Sequence, residues 1–284
     1  MPCRISSGRV SSIGFALMAV LSIAIVQAPA QDLSKYPDWS GQWTRPAGVG
    51  GQWDSTKPGG RGQQAPLTPE YQAIFESILT DRDAGGLNGD PTGMCLPHAF
   101  PRMMSAIFPV EFVVTPKTTY FLSDYTSLRR IFTDGRDWPA DLQPSFNGYS
   151  IGKWIDTDGD GRYDLLEVET RGFKSPRTFE GSGLPLHKDG KSIIRERIRL
   201  DAADSNILSD EITVIDNALT RPWTVTKRYQ RDRDGEWFLI DCAENNPHVV
   251  IGKESYMLSA DGYLMPTKTG QPAPDLRFFN RTQK

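Results

Sequence analysis

The sequence predicts a mainly β chain: an antiparallel meander of eight or nine strands closing into a barrel, with one short helix ahead of it. Three observations carry this. Glycine and proline number 26 and 21 among 284 residues, too dense for a helical bundle. From Val110 onward the hydrophobic residues recur with period 2 rather than 3.6. The strand candidates also follow one another without long crossovers, which suits a closed barrel better than the alternative, a two-sheet β-sandwich. At 38% hydrophobic and 24% charged residues, the chain has the balance of a folded protein with one substantial core.

The first thirty residues read as a targeting segment. Arg4 and Arg9 form a basic start, residues 13–26 are an apolar run, and Ala28-Pro29-Ala30 is a small-residue cleavage site before Gln31. The run is shorter than the about 20 residues that span a bilayer. Residues 1–30 are therefore expected to be a signal peptide cleaved near Ala30, giving a periplasmic or secreted protein with no transmembrane segment in its mature chain. Residues 31–66 hold eleven Gly and Pro, with Trp39, Trp43 and Trp53 among them. This predicts an irregular arm whose tryptophans cover an edge or opening of a single domain, 67–284. Thr68-Pro69 supplies an N-cap and a first-turn proline, and Tyr71, Ile74, Phe75, Ile78 and Leu79 follow at helical spacing, so a helix is predicted to end near Asp83. Strands are expected at 110–115, 119–123, 128–133, 149–155, 165–170, 192–200, 211–215, 223–229 and 237–241. Beyond His248, residues 256–258 and 263–265 read as a hairpin or a covering segment.

Charge narrows the choice of partner. Without Arg4 and Arg9 the mature chain keeps 30 basic against 35 acidic side chains, a net charge of −5. No basic stripe is present, which points away from nucleic acid and towards a small molecule, a metal ion or another protein. The mature chain keeps Cys95 and Cys242, an even number for an oxidising compartment, and one long-range disulfide is preferred over two buried thiols.

The strongest local motif runs from Asp156 to Glu167. Counted from Asp156, carboxylates fall at positions 1, 3, 5, 9 and 12 (Asp156, Asp158, Asp160, Asp164 and Glu167), with Gly161 at 6 and the Arg162 carbonyl at 7. This is the spacing of a twelve-residue calcium loop. Five acids repel one another unless a hard dication is present, so Ca2+ is the expected cofactor, a solvated acidic turn being the alternative. Because the flanking residues alternate as strands, the expectation is a calcium-pinned hairpin in which Glu167 already belongs to the second strand.

Polar residues also fall on faces that alternation assigns to the interior. Glu196 shares a face with Ile194, Ile198 and Leu200, and Arg130 falls with Leu128 and Phe132. Buried, these charges are either a structural ion pair or the proton-moving and anion-stabilising groups of a site. His187, on a long connection, could act at a pocket mouth as general acid or base. None of His98, His187 and His248 has zinc-site spacing. No phosphate loop or dinucleotide fingerprint occurs.

Residues 129–136 (Arg-Arg-Ile-Phe-Thr-Asp-Gly-Arg), 148–154 (Gly-Tyr-Ser-Ile-Gly-Lys-Trp), 211–213 (Glu-Ile-Thr), 222–224 (Pro-Trp-Thr) and 242–245 (Cys-Ala-Glu-Asn) resemble a family of exported bacterial proteins of unknown function. Its pattern is R-R-I-Y-T-D-G-R, then G-H-S-I-G-x-W, then E-I-T and P-W-T. The resemblance extends from Cys95 to Asn245 and implies secretion and a β-rich fold. The chain departs from the pattern at Tyr149, where the family often has His, and in the long acidic hairpin, where many members have a short turn. A site shared with that family would be sought at Arg130, Asp134, Arg136, His187, Glu196 and Glu244.

Two functions are consistent with these features. In the first, a small lipocalin-like barrel binds a small, partly apolar molecule. In the second, a cofactor-independent lyase, isomerase or hydrolase uses Glu196 or His187 to move a proton while Arg130 or Arg136 stabilises developing negative charge.

Overall fold

The computed structural model describes residues 33–277, apart from 88, 106–107, 124–127, 237–240 and 253. The expected signal peptide lies outside the described residues, as does most of the strand expected at 237–241.

Nine strands follow one another around a closed barrel. They are β1 (Gln42–Thr44), β2 (Val110–Val114), β3 (Thr118–Ser123), β4 (Arg129–Phe132), β5 (Tyr149–Ile155), β6 (Leu165–Arg171), β7 (Ile193–Leu200), β8 (Ile207–Ile215) and β9 (Trp223–Asp232). Neighbours pair antiparallel except β4 and β5, which run parallel, Ile131 opposite Ser150. The meander is thus broken once, by the connection over 133–148, and the barrel is mixed. Alternation is plain in β9, where Trp223, Val225, Lys227, Tyr229 and Arg231 are buried and their neighbours exposed.

The arm supplies a strand that alternation alone did not reveal. Three residues are too few to show a period, yet β1 closes the barrel by pairing with β2 and β9. Trp43 within it is fully buried, with Arg231 stacked 4.4 Å above its ring. Trp39 packs on Phe112 and Trp154, and Trp53 on Phe179 and Trp223. All three arm tryptophans are within 1% of complete burial.

Helix α1 (Pro69–Asp83) starts at Thr68, whose hydroxyl accepts from the Tyr71 N–H at 3.4 Å. Tyr71, Phe75 and Leu79, spaced by four, are its buried stripe. After β9 come a single helical turn, α2 (Cys242–Asn245), and a separate three-stranded antiparallel sheet of β10 (His248–Ile251), β11 (Glu254–Leu258) and β12 (Leu264–Pro266). The hairpin reading of 256–265 is the pairing of β11 with β12. Cys95 and Cys242 form a disulfide, their Cα atoms 5.6 Å apart.

Candidate functional site

Polar side chains from β4 to β9 converge inside the barrel. Arg129 is their centre: it donates to both carboxylate oxygens of Glu196, at 2.8 and 2.5 Å, to Ser150 Oγ at 3.2 Å and to Thr170 Oγ1 at 3.0 Å. Its guanidinium lies 3.8 Å over the Phe100 ring. Both charged side chains are essentially inaccessible to water, where a bidentate fork is the geometry that offsets desolvation best. The inward arginine of β4 is therefore Arg129. Arg130, expected inside with Leu128 and Phe132, is exposed, because the buried pair on this strand is Arg129 and Ile131 while Phe132 packs outside against Tyr149.

Asp210 of β8 and Lys227 of β9 stand opposite each other in the same interior. Neither Asp210 oxygen meets a hydrogen bond of ordinary geometry. Burial, and then the neighbouring Glu196, hold this carboxyl well above the usual range. Lys227 donates to the carbonyls of Gln52 and Trp53 in the arm and to Ser105 Oγ. Burial draws its pKa down to about 7. Tyr229, next inward on β9, donates to the Met104 carbonyl at 2.6 Å. The void beside Arg45, Lys227 and Tyr229 is about 10 Å³, on the order of one water.

The other expected site residues lie apart from this core. His187 is half-buried against Tyr71, with ring centroids 4.9 Å apart and Nδ1 2.9 Å from Asp189. Asp134 and Arg136 form a bidentate pair on the outer surface. Arg136 lies 3.8 Å over Phe132 and donates to Tyr149 Oη at 3.3 Å, and its fork holds the Asp134 carboxyl down at about 2. Glu244 is exposed in α2, beside the disulfide. Of the six acid/base candidates, Glu196 alone enters the barrel network.

In the acidic loop, Asp156, Asp158 and Asp160 each place a carboxylate oxygen within 4.8 Å of the others. Asp156 accepts from the Gly159 and Gly161 N–H groups at 2.7 and 2.9 Å. Asp164 turns to the Thr157 N–H and hydroxyl instead. Glu167 lies on the outer face of β6, 3.0 Å from Arg197. The twelve-residue spacing thus yields a three-carboxylate cluster, because the strand beginning at Leu165 carries Glu167 away from the loop.

An apolar cavity of about 330 Å³ lies outside the barrel, between α1, the turn at 91–94, the connection over 175–188 and the C-terminal sheet. Ile74, Ile78, Leu87, Met94, Leu186 and Val250 give it its apolar character. Gly89 and Gly183 press on Ile78 so closely that an added Cβ would fall 2.5 and 2.7 Å from its carbons. Both glycines have positive φ, +98° and +85°, which a side chain would disfavour. The polar lining includes Arg177, 3% exposed, which donates to the Phe100 carbonyl at 3.3 Å and to Ser192 Oγ at 2.7 Å. Ser192 in turn donates to Asp216.

Sequence reasoning missed Arg129, Asp210, Lys227 and Arg177. The test that singled out Glu196 finds two of them: Asp210, once β8 is begun at Ile207 rather than at 211, shares a face with Leu208 and Ile212, and Lys227, inside the strand expected at 223–229, shares one with Val225 and Tyr229. No family profile, curated protein or solved structure matches the chain.

Proposed function

We propose that this is an exported binding protein for a small, partly apolar molecule, and that the ligand occupies the cavity beside α1 rather than the barrel axis. The cavity is the observation that carries this reading. Its volume falls in the range of small-molecule sites, about 300–1,000 Å³. Ile74, Met94 and Val250 on its wall remain 39%, 50% and 45% exposed, although the same chain buries its arm tryptophans completely. Apolar surface left exposed and gathered in one concave place is a mark of a ligand-binding groove. Export rests on the leader-like first thirty residues and is supported by the disulfide.

The acidic hairpin is read as a Ca2+ site built on Asp156, Asp158 and Asp160, a hard-oxygen donor set suited to that ion. Its role in this reading is to order the hairpin. The acid/base enzyme finds less support, since Glu196 is closed on Arg129 and the void described near that network has room for one water.

Titration with the neutral dye Nile red tests the binding site. One saturable site is expected, and Ile74→Trp, which fills the cavity from its exposed rim, should remove it. Undiminished saturable binding to that variant would place the ligand elsewhere.

A further inference from the structure

Building on the cavity reading, we infer that the ligand is an amphiphilic anion, an apolar chain or ring system ending in a carboxylate, whose head group is taken by Lys188 in the field of Arg177.

Two paired segments set up this end of the cavity. The Leu186 N–H donates to the Arg177 carbonyl at 3.2 Å, and Ser175 Oγ donates to the Lys188 carbonyl at 3.1 Å. Arg177 and Lys188 therefore belong to neighbouring stretches of one rim, and both line the cavity. Their charges are not equally committed. Asp216 balances Arg177 through Ser192. The cavity's acid, Asp90, is taken up by Arg102 at 2.5 and 3.2 Å and by Thr92. Lys188 makes no ion pair among the described residues and stands exposed at the rim, its ammonium open to an anion.

Arg177 adds a second positive charge behind the rim. Its Nη1 and Nη2 are used, its guanidinium stacks 4.0 Å over Phe173, and its Nε is closed off from solvent, so it acts on a ligand through its charge. A carboxylate at the head of an apolar ligand would meet the Lys188 ammonium directly, and charge-assisted bonds of this kind are the strong ones. The hydrophobic walls at Ile74, Ile78, Met94 and Val250 would take the tail. A cationic or uncharged head would leave the Lys188 charge unmatched.

Isothermal titration of the mature chain with sodium octanoate, 1-octanol and octyltrimethylammonium tests the inference with tails of one length. Octanoate should bind at least tenfold tighter than octanol and the ammonium compound weakest. Lys188→Met, at an exposed position that leaves folding intact, should shrink the octanoate preference below threefold and keep octanol binding. Octanol binding as tightly as octanoate, or a preference unchanged by Lys188→Met, overturns the anion inference and leaves the cavity reading standing. Failure of all three compounds to bind overturns both.

Discussion

Glu196 shows how one side chain distinguishes a structural charge from a chemical one. Arg129 occupies both its oxygens, and replacing it by Gln removes the charge that offsets a guanidinium only 1% exposed. Glu196→Gln is expected to lose about 3–5 kcal/mol of unfolding free energy, as stranded buried charges do, read as a drop in urea midpoint. A variant of full stability would show that the pair is not needed for folding and would return Glu196 to the acid/base reading. His98 gives a second residue-scale expectation. Burial, reinforced by the Arg102 cation, lowers its pKa from 6.5 to about 4. Between those values the unfolded chain binds a proton that the folded imidazole does not, so stability falls as the pH drops from about 6.5 to about 4 and is unaffected above that window. The urea midpoint of His98→Gln measured against pH should lack that part of the slope. A slope identical to that of the parent chain would assign it to the carboxylates alone.

At the scale of elements, β1 and the acidic hairpin make contrasting demands. β1 is held by pairing with β2 and β9 and by the burial of Trp43. Trp43→Ala should cost about 3–5 kcal/mol, the usual range for a buried tryptophan, measured by thermal or denaturant unfolding. A loss below about 1 kcal/mol would mean that the arm is dispensable for closure. The hairpin is expected to respond to ion rather than to truncation. Calcium should raise the melting temperature by mass action on the folded state, and Asp158→Asn should weaken the effect. Melting curves unchanged by both calcium and chelator would leave a solvated turn. The elements differ in how legible they were. Strands of seven to ten residues, such as β5, β7 and β9, declare themselves by alternation. A strand of three residues does not, and in β4 two adjacent arginines fit either register until the packing of Ile131 and Phe132 decides between them. The cavity was invisible for another reason. Its walls come from four separate stretches of chain, and nothing local in Ile74 or Val250 says that they meet.

For the whole molecule, the disulfide and the cavity are coupled by position. Cys95 follows the 91–94 turn, whose Pro91 and Met94 line the cavity, and Cys242 opens α2, just before the sheet that contributes Val250 and Ser255. Asn246 ties the same two pieces together, donating to the Gly93 carbonyl at 2.9 Å. The barrel is closed by its own nine-strand pairing, whereas this wall of the cavity is fastened to the others by the disulfide, by Asn246 and, at α1, by the Lys268–Asp81 ion pair at 3.0 Å. In the chain-entropy account, closing a loop between residues 147 apart contributes about 5 kcal/mol. Its absence should be felt first where few strand pairings substitute for it. Replacing both cysteines by serine is therefore expected to lower affinity for Nile red at concentrations of urea too low to change the barrel's far-UV circular dichroism, with global unfolding following at a reduced midpoint. Thiol counting on the unreduced, unfolded mature chain should find no free thiol. Loss of dye binding and of barrel signal at the same urea concentration in the double-serine chain would show instead that the cavity wall and the barrel form one cooperative unit.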